Sequence, residues 1–347
     1  SYVLCHFSYF CKYILGLSEP KKAKFDAADI GNFVHHILEL FVTRAADAGP
    51  LTSGEIDGMI DSIVADYMKT VARIVPDYKG SRLAHLFARL RRSSALLCKN
   101  LAEEFAQSGF VPAFRELPIR FPTPGEATVE PLRVPLDDGT AAYIYGIADR
   151  VDTLEKDGKT YVRVVDYKTG AKDFSLDDVE MGLNLQMLLY LFSIWKNGAR
   201  PDSALMQGRT DPGSEILPAG VLYFGASVPT VTLDAELPPE EVERQVASKL
   251  SRRGLLLDDR DVLSAMEREL SGKYLPVKLK KDGSFQNAGA LCMLEGFGKL
   301  LGSIETTIRD IGREIRSGNA SAHPMKHKKH DACAHCPLGP VCRKGRS

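Results

Sequence analysis

Residues 146–152 read GIADRVD, and residues 164–170 read VVDYKTG. Both segments are apolar and strand-like, and each contains an aspartate, Asp149 in the first and Asp166 in the second. Because side chains alternate across a strand, Asp166 and Lys168 are expected on one face, about 6–7 Å apart. Two carboxylates and an ammonium group on one sheet surface predict a site for a divalent metal ion and an attacking water.

The surroundings of Asp149 support this interpretation. It lies within the mostly apolar run 145–151, where an unpaired charge would be costly. Asp166 follows a run of valines and stands where a strand should leave the core. For Asp152 and Arg150 two interpretations stay open: they belong to the site, or they pair with each other or cap the strand end.

Composition limits the classes of protein that fit. The chain has 347 residues, 44% of them hydrophobic, and a net charge of zero, so overall charge gives no argument for a nucleic-acid partner. The sequence contains no run of about 18 or more apolar residues, so no membrane span is predicted. No G-x-x-x-x-G-K-[ST] loop occurs, so the sequence carries no P-loop ATPase. We expect a cytoplasmic protein, and we expect this chain to be a segment of a longer polypeptide.

The cysteines are grouped at the two ends. Cys333, Cys336 and Cys342 form a CxxC-x5-C pattern, and Cys5 lies near the other terminus. Four thiolates predict a cubane iron–sulfur cluster or a zinc ion. Histidines surround the C-terminal group, so a Cys3His zinc site without Cys5 is an alternative. The remaining cysteines are expected to be ordinary thiols: Cys11, Cys98 and Cys292.

Hydrophobic periodicity predicts a mixed α/β protein. Helices are predicted over 29–46, 52–72, 82–108, 175–196, 238–251, 260–270 and 288–316. Strands are predicted around 113–121, 131–135, 142–154, 160–167 and 219–224. A hairpin turn at residues 156–159 joins two of these strands.

Two helices carry further candidate residues. Gln186, Tyr190, Ser193 and Asn197 form a narrow polar line on an otherwise apolar helix. Gln186 and Tyr190 share one face and could reach a site on the neighbouring strands, or the line could be a polar seam against solvent. On the first helix, His35 and His36 both flank the apolar stripe, and periodicity does not choose between them.

In this order along the chain, the segments resemble the RecB-type branch of the PD-(D/E)XK nucleases. The closest resemblance is to the AddB-type nuclease domains of bacterial helicase–nucleases. The matching segments cover nearly the whole sequence: 5–10, 31–35, 146–152, 166–168, 186–190, 218–224 and the final cysteines. The resemblance implies one nuclease domain with a restriction-endonuclease-like core at 111–230. Helical regions would flank it at 29–110 and 231–320, and cluster segments would lie at 1–28 and 321–347.

The resemblance also implies roles by position. Asp149 and Asp166 would bind Mg²⁺ or Mn²⁺, aided by His35 and the carbonyl of Tyr167. Lys168 would orient the attacking water, and the QxxxY pair Gln186 and Tyr190 would support the site and the DNA strand. The cysteines at 5, 333, 336 and 342 would hold a [4Fe–4S] cluster joining the two ends. An AddA-type helicase–nuclease subunit would be the partner.

The resemblance leaves three functional hypotheses. One is a metal-dependent exonuclease acting on single strands during double-strand-break repair. The second is a DNA-end-binding iron–sulfur scaffold with an idle nuclease site. The third is a stand-alone Cas4-like nuclease, which the long helical insert at 52–108 disfavours. His6 departs from the family, which usually has proline after its first cysteine.

Overall fold

The computed structural model describes residues 1–18, 27–46, 48–74, 81–170, 174–207, 214–226, 238, 245–246, 249–327, 330–334 and 336–342. Their α-helices are α1 (His6–Tyr9), α2 (Ala27–Ala46), α3 (Ser53–Ile74), α4 (Ser81–Gln107), α5 (Leu176–Glu180), α6 (Gln186–Asn197), α7 (Arg260–Met266), α8 (Leu294–Arg316) and α9 (Gly339–Cys342). No helix among these residues is long and apolar enough to cross a membrane.

The strands of the described residues form one large sheet and three small ribbons. They are β1 (Val111–Ile119), β2 (Leu132–Pro135), β3 (Ala141–Ile144), β4 (Gly146–Lys156), β5 (Lys159–Lys168), β6 (Glu215–Gly225), β7 (Arg253–Leu257), β8 (Lys278–Leu279), β9 (Phe285–Gln286), β10 (Leu291–Cys292), β11 (Lys326–His327) and β12 (His330–Asp331). The large sheet has six strands in the order β1-β4-β5-β6-β7-β10. Its pairs β5–β6 and β7–β10 are parallel and the others antiparallel, so the predicted α/β class is confirmed.

The predicted hairpin joins β4 and β5. Asp157 and Gly158 form the turn with φ values of 53° and 70°, which is the conformation of a two-residue type I′ hairpin. Lys156 pairs with Lys159, and the ladder then continues to Arg150 opposite Val165. The turn therefore fixes the register that carries the two predicted acids.

Three predicted elements differ from the observed ones. The strand predicted over 142–154 is two strands, because β3 pairs with β2 in a separate ribbon and β4 begins only at Gly146. The helix predicted over 288–316 begins at Leu294, after a 3-10 turn and β10. The helix predicted over 260–270 ends at Met266, since Glu267 is extended. The helix predicted over 238–251 lies largely outside the described residues.

The helix predicted from Ser175 to Lys196 is also wrong, because it is two helices. Ser175 caps α5 as predicted, by accepting a hydrogen bond from the backbone N–H of Asp178. The chain then leaves the helix, since Gly182 and Asn184 have φ values of 75° and 55°. These left-handed residues end α5, and the chain restarts as α6 at Gln186.

A network of buried charges lies on one face of the large sheet. Arg163 donates to Asp152 on the neighbouring strand at 2.8 Å and to Glu104 of α4 at 2.9 Å. Arg252 donates to the other Glu104 oxygen at 2.6 Å, and Arg150 Nε lies 2.9 Å from Asp152 Oδ1. All five side chains are buried. Such a network needs every charge paired, so it fixes α4 against the sheet.

Candidate active site

Five side chains occupy one row across the sheet. The last paired residues of β4 and β5 are Arg150 and Val165. Asp149 precedes Arg150 and Asp166 follows Val165, so the two aspartates lie opposite each other just beyond that pair. Glu116 on β1 occupies the position opposite Asp149, between the pairs Arg115–Arg150 and Leu117–Ala148. On the other side, Tyr223 pairs with Asp166, and Arg253 pairs with Tyr223. Asp166 lies three residues after Arg163, so it faces away from the buried charge network.

Asp149 is held at the point where the ladder between β4 and β5 stops. Its Oδ2 accepts a hydrogen bond of 2.9 Å from the backbone N–H of Tyr167. The same oxygen lies 3.5 Å from His35 Nδ1 on α2. The His35 ring meets the Tyr167 ring edge to face, with centroids 5.7 Å apart. Asp149 is therefore oriented by both the adjacent strand and the helix.

Asp166 and Lys168 form an ion pair on one face of β5. Lys168 Nζ lies 2.5 Å from Asp166 Oδ2, and the lysine side chain is 26% exposed while that of Asp166 is 6% exposed. Burial, and next the charge of Asp149, raise the pKa of Asp166, and the ammonium of Lys168 opposes this rise. The register places Asp149 directly opposite Asp166 on the neighbouring strand, so the two carboxylates are close neighbours. An added cation would relieve the repulsion between them.

The polar line on α6 divides into two parts. Gln186 Nε2 donates to the Tyr190 hydroxyl at 3.1 Å. A Cβ at Gly146 would overlap the Tyr190 ring, so the ring packs directly on the first residue of β4. Ser193 accepts from the backbone N–H of Leu132, and Asn197 donates to the carbonyls of Glu130 and Pro131. The first two residues therefore support the strand of Asp149, and the last two anchor the segment leading into β2.

The open alternatives are resolved for two pairs of residues. Asp152 is fully buried and bound to Arg150 and Arg163, so it is a structural ion pair away from the acid row. His35 contacts Asp149, whereas the ring of His36 lies beside Tyr67, with centroids 5.6 Å apart. His35 is thus the histidine of α2 that faces the site.

Glu116 was missed in the sequence. Its φ of 50° places it in the left-handed region, an unusual conformation for a glutamate within a strand. Glu116 is exposed, but partial desolvation of its carboxyl, and then the charges of Asp149 and Glu39, raise its pKa to about 7. Strand alternation treats this residue as an ordinary surface glutamate, so no local pattern could have identified it.

The oxygen donors at the row fit a hard divalent cation. Among the described residues, no three His, Cys, Asp or Glu side chains converge closely enough to hold an ion by themselves. Magnesium does not need such a cage, because it keeps several waters and is usually held by one or two carboxylates. Asp149 and Asp166 meet that requirement, and the imidazole of His35 lies beside the first of them.

The four predicted cluster cysteines lie around one cavity. It measures about 240 Å³ and includes Cys5, Cys333, Cys336 and Cys342 in its lining. The two ends of the chain meet here through backbone hydrogen bonds from Met325 to Leu4 and from Phe7 to Ser321. The thiols border a space instead of meeting at a point. Four thiols around one space are a donor set for an iron–sulfur cluster or a zinc ion, the two alternatives from the sequence.

The PD-(D/E)XK nuclease superfamily matches this sequence over residues 1–343. With its mixed six-stranded sheet flanked by helices, the chain belongs to that superfamily.

The chain is also similar to bacterial proteins named as the B subunit of an ATP-dependent helicase/deoxyribonuclease. It is 30% identical to the one from Thermoanaerobacter sp. (strain X514) over 351 residues, 99% of this chain and 29% of the relative. The relative from Acetivibrio thermocellus is 30% identical over 350 residues, with the same shares of 99% and 29%. The one from Clostridium tetani is 29% identical over 350 residues, 98% of this chain and 29% of the relative. The chain therefore spans 29% of the length of these relatives. The resemblance to AddB-type nuclease domains is confirmed.

Proposed function

We propose that this chain is the nuclease unit of a helicase–nuclease complex. It hydrolyses phosphodiester bonds of single-stranded DNA as an exonuclease during double-strand-break repair and recombination. The observation that carries the proposal is the placement of Asp149 and Asp166 opposite each other on β4 and β5, just beyond the last paired residues, with Lys168 in an ion pair with Asp166. The names of the relatives, which are deoxyribonuclease subunits, support DNA as the substrate.

The proposed metal is Mg²⁺ or Mn²⁺, held by Asp149 and Asp166 with His35 and the carbonyl of Tyr167. When bound, such an ion lowers the pKa of a water and neutralises charge on the phosphate. Hard oxygen ligands favour these ions over softer metals. Burial, and next the charge of Asp149, raise the pKa of Asp166, and a bound cation would stabilise its ionised form against both effects.

The residues around the acids have distinct tasks in this proposal. Lys168 orients the attacking water and offsets negative charge that develops on the phosphate. His35 and the N–H of Tyr167 hold Asp149 in one orientation. Gln186 and Tyr190 keep β4 in place through the contact with Gly146.

The cysteine cavity is proposed to hold a [4Fe–4S] cluster on Cys5, Cys333, Cys336 and Cys342. Its role is structural, because thiolates are poor ligands for magnesium and the cavity is lined by residues of the two chain ends. A cluster that joins Cys5 to Cys333 would close a long loop and lower the conformational entropy of the unfolded chain. This stabilises the fold by roughly several kcal/mol. The proposed partner is an AddA-type subunit, which would supply single strands.

A cleavage assay tests the proposed function. End-labelled single-stranded DNA is incubated with the chain and Mg²⁺, and products are resolved by length. We expect Asp166→Asn and Lys168→Ala to slow cleavage by about 100-fold or more. Asp157→Asn is the matched control, because Asp157 lies in the hairpin turn at the far end of the same strands. Normal cleavage by both site variants would refute the assignment and favour an idle site.

A further inference from the structure

Three aromatic rings meet on the surface beside the acid row. Phe121 follows β1, Tyr143 lies on β3, and Tyr145 lies between β3 and β4. The residues are 45%, 38% and 56% exposed, respectively. The Phe121 ring centroid lies 5.1 Å from that of Tyr143 and 6.0 Å from that of Tyr145. We call these three residues the aromatic platform.

The platform is continuous with the acid row along one strand face. Tyr145, Ile147 and Asp149 alternate with Gly146 and Ala148, and Ile147 is 50% exposed while Ala148 is buried. Residues two apart in a strand point to the same side, so Ile147 and Asp149 share a face of β4, and Tyr145 immediately precedes that strand. Tyr145 and Asp149 are four positions apart, a span of about 13 Å in an extended chain. A bound chain a few units long would cover both features.

The geometry of the rings leaves room for planar groups. Neither ring pair is stacked in parallel, since the interplanar angles are 62° and 73°. A cavity of about 280 Å³ lies beside the platform and is lined by Pro118, Ile119, Arg120, Tyr145, Gly146 and Ile147. Contiguous exposed apolar side chains next to a recess are a feature of binding surfaces.

Cations accompany the rings. Arg133 on β2 is exposed and pairs in register with Tyr143, so the two side chains stand next to each other. Arg120 lines the recess and forms an exposed ion pair of 2.5 Å with Glu126. Aromatic faces interleaved with arginines are the combination that binds the bases and phosphates of single strands.

We propose that the aromatic platform stacks the bases of single-stranded DNA and guides the strand along β4 to Asp149. The position of the platform rests on the proposed nuclease function, but stacking itself requires neither metal nor cleavage. A duplex hides its base faces, so the platform selects single strands. It thus supplies a substrate preference that the acid row alone does not have.

Binding is measured by fluorescence anisotropy of a labelled oligothymidylate with the whole chain in EDTA, where hydrolysis does not interfere. We expect Phe121→Ala and Tyr145→Ala each to weaken binding by about 5- to 100-fold, the range for one lost base–aromatic stack. Tyr145→Phe keeps the ring and is expected to bind normally. Met293→Ala is the matched control, because Met293 is 68% exposed and follows β10, at the opposite edge of the sheet from β1. Thermal unfolding checks that each variant is folded.

Each outcome decides for or against the platform. Weakened binding of single strands, with binding of blunt duplex unchanged, supports it. If both alanine variants bind oligothymidylate as tightly as Met293→Ala does, the platform is refuted. Normal DNA binding together with lost association with the partner subunit would refute it too and assign the patch to a protein. Because Asp166→Asn tests cleavage separately, a failed platform leaves the nuclease proposal standing, and the reverse also holds.

Discussion

His330 Nε2 lies 2.9 Å from Asp178 Oδ1, and this contact links the C-terminal cysteine segment to helix α5. Asp178 is buried, and its other oxygen accepts from the side-chain amide of Asn184. Burial, and then the charges of Asp166 and Asp178, raise the pKa of Tyr223 to about 12. Asp178 therefore anchors the C-terminal cysteine segment on α5.

The link predicts a stability effect. His330→Ala removes one partner of a buried carboxylate, and we expect a loss of about 1–3 kcal/mol in the free energy of unfolding. Urea denaturation followed by circular dichroism measures this loss. His327→Ala, an exposed histidine three residues earlier, serves as the control and should change stability by less than about 0.5 kcal/mol. Equal stability of both variants would show that the contact is not an anchor.

Two adjacent glutamates on α4 are expected to differ in how much their loss destabilises the fold. Burial alone would raise the pKa of Glu104, but Arg252 and Arg163 overcome it and hold the pKa at about 2. Glu104→Ala leaves buried guanidinium groups without their carboxylate, so we expect destabilisation of about 3–5 kcal/mol. Glu103→Ala removes an exposed ion pair with Lys273 and should cost less than about 1 kcal/mol. Denaturant unfolding of the two variants compares them, and similar losses would contradict the buried network.

The pKa of Glu116 predicts a pH-dependent difference in stability. The folded chain raises this pKa from 4.5 to about 7. Because the folded state holds the proton more tightly than the unfolded chain, ionisation of Glu116 removes stability as pH rises through this interval. In EDTA, Glu116→Gln should therefore raise the melting temperature relative to the unmodified chain more at pH 8 than at pH 4. Glu295→Gln, at an exposed site on α8, is the control for the loss of a carboxylate. The same result for both variants would show that Glu116 is not perturbed.

The cysteine cavity predicts a coloured protein. Chain purified without oxygen, or reconstituted with ferrous iron and sulfide, should show broad visible absorbance and contain acid-labile sulfide. Cys333→Ser or Cys342→Ser should abolish both signals, because each removes one of four thiolates. Cys292→Ser should keep them, since Cys292 lies on β10 and does not line the cavity. A colourless chain with one zinc ion would instead support the alternative from the sequence.

The core of the site was predictable because its signals are local. Asp149, Asp166 and Lys168 lie in two apolar strands joined by a two-residue turn, so alternation and the turn predict that their side chains share one sheet face, as the register shows. The pairing of Arg150 with Asp152 stayed open in the sequence, because a short polar pair gives the same pattern at a strand end and in the core. The structure decides between these two environments, because Arg163 on β5 and Glu104 on α4 complete a buried ion-pair network around Asp152.

Other features of the fold and of the site could not be predicted, because they depend on backbone conformation or on contacts distant in sequence. The break between α5 and α6 depends on left-handed φ angles at Gly182 and Asn184, and the apolar pattern continues through it unchanged. Glu116 on β1 likewise has a left-handed φ angle that the sequence pattern does not indicate. Arg252 and Glu104 are far apart in sequence, and charged residues on a helix or strand are usually solvated. Their burial as partners follows from the tertiary fold and not from any local pattern.

The central claim is that Asp149 and Asp166 share one divalent cation. Electron paramagnetic resonance of Mn²⁺, titrated with the chain, measures that binding directly because bound ions lose their free-solution signal. We expect the unmodified chain and Asp157→Asn to bind Mn²⁺ with equal affinity, and Asp149→Asn and Asp166→Asn each to lose most of it. Unchanged Mn²⁺ affinity in both site variants would contradict the claim.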